Sequence, residues 1–241
     1  MKTAIVTGSN RGIGRAIALR LAQDGMNVVL CARDEQLLKS TADTIGPNAL
    51  AVPVDLRLPD SAKKVVDAAL ARFGALDVVV NNAGATKRGD FESLTDDDFI
   101  DGFALKYFGA VRMTRAAWPH LRKQSGAIVN IVGAGGRTPG ALFSIGGSVN
   151  AAVLSFTKAM SEKGIQDGVQ VNAINPGPVR TARLAAQLST SSEEAFLKEH
   201  RIARIGEPED IAALVAFVLS PHGRLLQGAL IDADGGATKT I

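Results

Sequence analysis

The chain alternates short, continuously apolar segments with longer amphipathic ones along its whole length. The apolar segments are rich in Val and Ile and lie at Thr3–Thr7, Asn27–Ala32, Ala49–Val54, Leu76–Val80, Ala127–Val132, Val169–Ile174 and Ala229–Asp232. Strands that are apolar on both faces are typical of a parallel sheet covered by helices. Helical patterns lie between them, near 12–24, 34–45, 60–73, 95–122, 143–163 and 207–219. The alternation predicts one doubly wound α/β domain over residues 1–241, with about seven strands and helices on both faces.

One stretch departs from this regular alternation. Residues 180–204 are helical but irregular and follow the sixth predicted strand. Because ligands of open α/β sheets bind beyond the carboxyl ends of the strands, we expect this insertion to cover the ligand crevice. The acidic run after Thr95 is interpreted as a capped helix start, not as a metal site.

Composition narrows the class of protein. The chain is 46% hydrophobic and 21% charged, with a net charge of +3 from scattered basic residues, which disfavours nucleic-acid binding. No apolar run approaches the ~20 residues of a membrane span. Cys31 is the only cysteine and excludes an internal disulfide. Residues 1–7 form a strand pattern and not a signal peptide, so we expect a soluble, cytoplasmic protein.

A glycine-rich turn joins the first predicted strand to the first helix. Glycine is needed where a chain turns sharply, where backbone approaches a pyrophosphate, and where a helix packs closely on a strand. The helix that follows presents free N–H groups and a partial positive charge to phosphates. The turn therefore predicts a dinucleotide site formed by Gly8, Ser9, Asn10, Arg11, Gly12, Ile13 and Gly14.

The end of the second strand bears on which dinucleotide is bound. NAD sites usually place an acid there for the ribose 2′-hydroxyl, whereas NADP sites use Arg to accept the 2′-phosphate. This chain has Ala32 and Arg33 at that point and Arg11 inside the glycine turn. Two guanidinium groups can bind a phosphate that an acid would repel, so the pattern favours NADP(H). The alternative is that Arg33 only begins a solvated helix.

Four further motifs follow in order: Asp55-Leu56, Asn81-Asn82-Ala83-Gly84, Asn175-Pro176-Gly177-Pro178-Val179 and Asp234-Gly235-Gly236. Together with the glycine turn they closely resemble the short-chain dehydrogenase/reductase family over nearly the whole chain. The resemblance implies a seven-stranded parallel sheet of order 3-2-1-4-5-6-7 and assembly as a homodimer or homotetramer. We expect the subunits to meet through the helices near 95–122 and 143–163.

The resemblance also assigns cofactor contacts. Asp55 and Leu56 would border the adenine. The adenine-side ribose and the diphosphate would lie along Asn82, Ala83 and Gly84. The nicotinamide would contact Pro176, Gly177 and Val179.

The likeness does not extend to the residues with which the family carries out catalysis. The family uses an Asn on the fourth helix, a Ser after the fifth strand, and a Tyr followed four residues later by a Lys on the fifth helix. Motif spacing puts Lys106, Gly133, Gly146 and Asn150 at those positions. The family's Tyr gives a proton to the carbonyl oxygen, an effect of about 10²–10⁴-fold, and glycine has no side-chain proton to give.

Lys106 and Asn150 look like a reciprocal exchange of the family's Asn and Lys. We expect Lys106 to reach the nicotinamide ribose beside Asn150 and to supply the missing proton. The alternative is that Lys106 extends to solvent from an interface helix. Tyr107, the only tyrosine, is interpreted as a packing residue in preference to an acid.

Two functions remain open at this point. The favoured one is an NADP(H)-dependent oxidoreductase with a non-standard proton donor, acting on a carbonyl or alcohol. The other is an NADP(H)-binding pseudoenzyme that serves as a sensor or partner subunit. The basic side chains that follow the fourth, fifth and sixth strands suit either an anionic small-molecule substrate or solvated loops. They are Lys87, Arg88, Arg137, Arg180 and Arg183.

Overall fold

The sheet has seven parallel strands in the order β3-β2-β1-β4-β5-β6-β7. In this computed structural model the strands are β1 Thr3–Thr7, β2 Asn27–Ala32, β3 Ala49–Pro53, β4 Val78–Asn81, β5 Ala127–Ile131, β6 Gln170–Pro176 and β7 Leu230–Ala233. The structure describes residues 1–188 and 192–239, without the side chains of Arg183, Ala186 and Gln187. The predicted fold class and strand order are confirmed.

Helices cover both faces of the sheet. They are α1 Gly12–Gln23, α2 Glu35–Ile45, α3 Ser61–Phe73, α4 Asp96–Gly102, α5 Phe108–Gln124, α6 Ser144–Asp167, α7 Ala182–Leu188, α8 Glu193–His200 and α9 Pro208–Leu219. Apolar residues of α1, α2 and α9 pack on one face of the sheet, and those of α3 and α5 on the other. Within β1, Ala4 and Val6 contribute to the first layer and Ile5 to the second. This two-sided burial explains why the strands are continuously apolar.

The strand ends differ slightly from the predicted ones. The fourth strand begins at Val78 instead of Leu76, because the preceding Asp77 is tied to Thr3 through both its backbone N–H and its carboxylate. Leu76 is nevertheless fully buried, so its apolarity reflects the core and not the ladder. The sixth strand extends to Pro176 and carries the next loop further toward the crevice.

The fourth helical pattern is interrupted. Between α4 and α5 the backbone forms a π-helical turn, Phe103–Tyr107, which contains Lys106. Such turns occur frequently at functional sites. Apolar periodicity does not reveal the interruption, because both neighbouring helices keep their buried faces. The start of α4 is capped as predicted, with the Thr95 hydroxyl and the Asp98 carboxylate forming a reciprocal capping box.

The irregular stretch 180–204 contains α7 and α8, and residues 189–191 lie outside the described part. Leu184, Phe196, Ile202 and Ile205 form a small core of their own. Within the described ranges, no helix is long and apolar enough to cross a membrane. The same residues hold no group of His, Cys, Asp and Glu side chains suited to a metal ion.

Candidate active site

Steric limits require glycine at three positions of the turn after β1. Gly8 and Gly12 have φ angles of +65° and +53°, a region that side chains rarely enter. A Cβ atom on Gly14 would lie 2.8 Å from the carbonyl carbon of Gly8, so α1 starts directly against the turn. The Ser9 hydroxyl accepts from the Cys31 N–H at 3.1 Å and ties the turn to β2. The turn is a cradle that side chains would fill, and it fits a dinucleotide phosphate.

Asn82 fastens the end of β4 to the end of β1. Its side-chain amide donates to the carbonyls of Thr7 at 2.9 Å and Gly8 at 3.3 Å. In return the Thr7 hydroxyl accepts from the N–H groups of Asn82 at 2.8 Å and Ala83 at 2.9 Å. Asn82 therefore shapes the floor of the crevice, and Ala83 and Gly84 continue along it.

The expected adenine side is a cluster of opposite charges. Arg11 and Arg33 are exposed, as a phosphate ligand requires. The Arg57 side chain donates to the Asp101 carboxylate at 2.5 and 2.9 Å and lies 3.6 Å from Asp55. These hydrogen bonds hold the pKa of Asp101 below its usual range, and the charge of Arg33 acts in the same direction.

Sequence reasoning missed the Arg57–Asp101 pair. Arg57 directly follows Asp55 and the buried Leu56, which was a usable signal. Asp101 lies on α4, 44 residues further along, and no local pattern connects the two.

The loop after β6 closes the other side of the crevice. Gly177 donates to the Ala233 carbonyl at 3.1 Å, and a Cβ on Gly177 would lie 2.6 Å from the Cα of Asp234. Pro176 and Val179, the other expected nicotinamide neighbours, are buried beside this junction. The close approach explains why Gly177 and the Asp234 motif occur together.

Thr181 is a second residue that sequence reasoning missed. Its Cγ2 atom would lie 3.2 Å from a Cβ on Gly12, so the loop after β6 rests against the phosphate turn. The available signal was its position just before α7, next to the predicted nicotinamide loop.

Lys106 reaches the carboxyl end of β5. Its ammonium donates to the Asn150 side-chain oxygen at 2.6 Å and to the backbone carbonyl of Val132. A Cβ on Gly84 would lie 2.9 Å from the Lys106 Cδ, so the stem of the lysine rests against this glycine. Asn150 is buried, and its amide nitrogen would lie 3.0 Å from a Cβ on Gly133, whose φ is +133°. The structure thus brings together three of the four positions aligned with the family's catalytic residues.

The fourth position, Gly146, is covered by an aromatic ring. A Cβ on Gly146 would lie 2.5 Å or less from three ring atoms of Phe143. On the loop after β5, a Cβ on Gly135 would lie 3.0 Å from two atoms of the same ring. The glycines at these two positions therefore make the space that Phe143 occupies. Phe143 lies three residues before Gly146, a spacing that puts both on one helix face and was the available sequence signal.

Most of the basic side chains around the crevice are neutralised by carboxylates. Ion pairs join Lys87 to Asp98 at 2.8 Å, Arg137 to Asp232 at 2.9 Å, and Arg180 to Glu193 at 3.1 Å and Glu207 at 2.9 Å. Arg88 instead lies over the Phe143 ring, 4.4 Å from its centroid. The Arg183 side chain lies outside the described residues. The expected cluster of unmatched positive charge is therefore reduced to Arg88 among the residues described.

Tyr107 and Cys31 both pack against other parts of the protein. The Tyr107 ring makes edge contacts with Phe103, Phe108 and Phe156 at centroid distances of 6.0, 5.3 and 6.1 Å. Tyr107 therefore packs between helices, as predicted. Burial raises the pKa of the Cys31 thiol to about 12, which leaves it unreactive near neutral pH.

Comparison with known proteins points to one family. Residues 8–238 match the protein family described as enoyl-(acyl carrier protein) reductase. An oxidoreductase of Mycobacterium tuberculosis is 34% identical over 243 residues, covering 98% of this chain and 92% of that protein.

Two solved structures are similar over the whole chain. L-Sorbose reductase from Gluconobacter frateurii, complexed with NADPH and L-sorbose, has a TM-score of 0.93 and 30% identity, covering 100% of this chain and 97% of the other. A short-chain oxidoreductase from Pseudomonas aeruginosa, described as containing an atypical catalytic center, has a TM-score of 0.93 and 25% identity, with coverage of 100% and 98%. The motifs, the strand order and these matches together show that the chain belongs to the short-chain dehydrogenase/reductase family.

Proposed function

We propose that the protein is an NADP(H)-dependent oxidoreductase that interconverts a carbonyl and an alcohol on a small molecule, with Lys106 in place of the usual proton donor. The observation that carries the proposal is the position of the Lys106 ammonium, 2.6 Å from the buried Asn150 side chain and beside the carboxyl end of β5. A similar reductase structure contains NADPH, which supports a nicotinamide cofactor here.

The preference for NADP(H) rests on charge at the end of β2. Arg11 and Arg33 are both exposed where the 2′-phosphate would lie, and Ala32 leaves that strand end without an acid. Arg57 adds a third guanidinium nearby, although Asp101 and Asp55 neutralise it. Charge-assisted hydrogen bonds to a phosphate are among the stronger polar contacts in proteins.

Reduction of a carbonyl adds a hydride to carbon and a proton to oxygen. The nicotinamide ring supplies the hydride when the cofactor is bound. Lys106 would give one ammonium proton to the developing alkoxide, become a neutral amine, and regain a proton from water. Val132 and Asn150 accept hydrogen bonds from the ammonium and so fix its position. Holding the donor in place before the reaction is the larger part of its effect.

A second candidate function has its own observation. Phe143 fills the space beside Gly146, where the family has its Tyr, and Gly133 has no hydroxyl. A chain that binds NADP(H) without turnover, as a sensor or partner subunit, would tolerate these changes.

One experiment separates the two candidates. We would titrate the purified protein with NADPH and NADH and, in parallel, follow NADPH consumption with a panel of aldehydes, ketones and quinones. Consumption above the rate without protein, abolished by Lys106→Met, is expected for the enzyme. Tight NADPH binding with no consumption on any member of the panel would favour the pseudoenzyme and overturn the proposal.

Assembly and location belong to the same proposal. We propose a cytoplasmic homodimer or homotetramer that meets through α4, α5 and α6. The exposed apolar side chains of these helices include Ile100 on α4 and Phe108 on α5, which such an interface would cover.

A further inference from the structure

The ring of Phe143 is the side chain that stands where the family has its proton donor. It lies against Gly146 at the start of α6 and against Gly135 on the loop after β5. Both neighbours are glycines, so the ring is in contact with backbone on these sides and has little freedom to move. A Cβ on Gly135 would also lie 3.7 Å from the Asn150 amide nitrogen, so the ring forms an apolar surface on the Asn150 side of the crevice.

The guanidinium of Arg88 packs on the Phe143 ring. It lies 4.4 Å from the centroid of that ring, in a cation–π contact. In residues 1–188 and 192–239 no carboxylate forms an ion pair with Arg88, whereas its neighbour Lys87 is paired with Asp98 at 2.8 Å. An arginine that rests on an aromatic face keeps its planar edge free to bind a carboxylate with two parallel hydrogen bonds.

We infer that Arg88, positioned by Phe143, binds a carboxylate of the substrate, so that the site takes an oxo acid. This inference rests on the proposed function. The ring that carries Arg88 also contacts Gly146, so the guanidinium lies on the side of the crevice where the family has its proton donor. The substrate would place its apolar part against the Phe143 ring.

The test uses benzoylformate, a planar 2-oxo acid, and its uncharged methyl ester. Calorimetric titration of each probe into the protein saturated with NADP⁺ measures binding whether or not turnover occurs. We expect the acid to bind at least ten times more tightly than the ester, about 1.4 kcal/mol, since only the acid can form the charge-assisted pair of hydrogen bonds. Arg88→Gln should reduce that preference to less than threefold.

Two further variants serve as matched controls. Lys87→Gln removes the adjacent positive charge but leaves Arg88 in place, and it should retain the full preference because Asp98 already neutralises Lys87. Phe143→Leu keeps an apolar wall but removes the aromatic face, and it should lower the preference of the acid over the ester.

The outcomes separate this inference from the proposed function. Equal binding of acid and ester, binding of neither probe, or an unchanged preference in Arg88→Gln would overturn the inference. If the acid binds through Arg88 while no carbonyl compound is reduced, the inference stands as a ligand site and the proposed catalysis fails.

Discussion

Substituting Gly146 by Ala tests whether the Phe143 ring really occupies the proton-donor position. The new methyl group would lie 2.5 Å or less from three ring atoms, and Gly135 confines the same ring. Such overpacking typically costs about 1–3 kcal/mol, while removing a helical glycine returns about 0.5–1 kcal/mol. We therefore expect a net loss of up to about 2.5 kcal/mol in the free energy of unfolding.

Removing the Phe143 ring should reverse the sign of the stability change caused by Gly146→Ala. In a Phe143→Ala background the methyl group has room, so Gly146→Ala should stabilise the protein by about 0.5–1 kcal/mol. Urea unfolding of the wild type, both single variants and the double variant gives a coupling energy, expected at about 1–3 kcal/mol.

Gly109→Ala is a suitable control, because a Cβ there would meet Leu56 at an ordinary 3.5 Å. It should show no overpacking cost. An equal effect of Gly146→Ala with and without the Phe143 ring would refute the reasoning.

Three further predictions concern the cofactor, the assembly and the pH dependence. NADP(H) should bind at least ten times more tightly than NAD(H), and Arg33→Ala should remove most of that difference in direct titrations. Sedimentation at micromolar concentration should show a dimer or tetramer. Because Arg57 holds the pKa of Asp101 below its usual range, the pair stabilises the protein above the ordinary carboxyl pKa, and that contribution is lost as the pH falls through the lowered pKa. Asp101→Asn should therefore lower the urea midpoint more at about pH 7 than at about pH 3, by a small amount at either pH since the pair is partly exposed.

Clear contradictions exist for each. Equal affinities of the wild type for the two cofactors would contradict the first prediction, and a monomer at every concentration would contradict the second. An effect of Asp101→Asn that does not change with pH would contradict the third.

The sheet could be predicted from the sequence because its signal is local. Each buried strand is a short run of Val and Ile, and five of the glycines that shape the crevice lie in recognisable motifs: Gly8, Gly12, Gly14, Gly84 and Gly177. These features depend on steric limits that act over a few residues, so the amino-acid sequence reveals them.

The remaining features depend on contacts between distant parts of the chain. The Arg57–Asp101 pair joins residues 44 positions apart, and the covering of Gly146 by Phe143 depends on how a loop enters α6. The π-helical turn at Lys106 leaves the apolar pattern unchanged. The matching of Arg137 and Arg180 by carboxylates likewise follows from the folded loops, which is why their charges pointed toward a ligand in the sequence.

The central claim is that Lys106 acts at the reaction centre in place of the family's catalytic side chains, and Lys106→Met tests it most directly. The variant leaves Asn150 and the Val132 carbonyl without their donor, so we expect a loss of about 1–3 kcal/mol in stability with an unchanged circular dichroism spectrum. Because the account also has Lys106 bind the nicotinamide ribose, the decisive measurement is the Kd for NADPH by fluorescence titration of the folded variant. The account predicts that Kd rises about tenfold or more; a Kd equal to that of the wild type would contradict it.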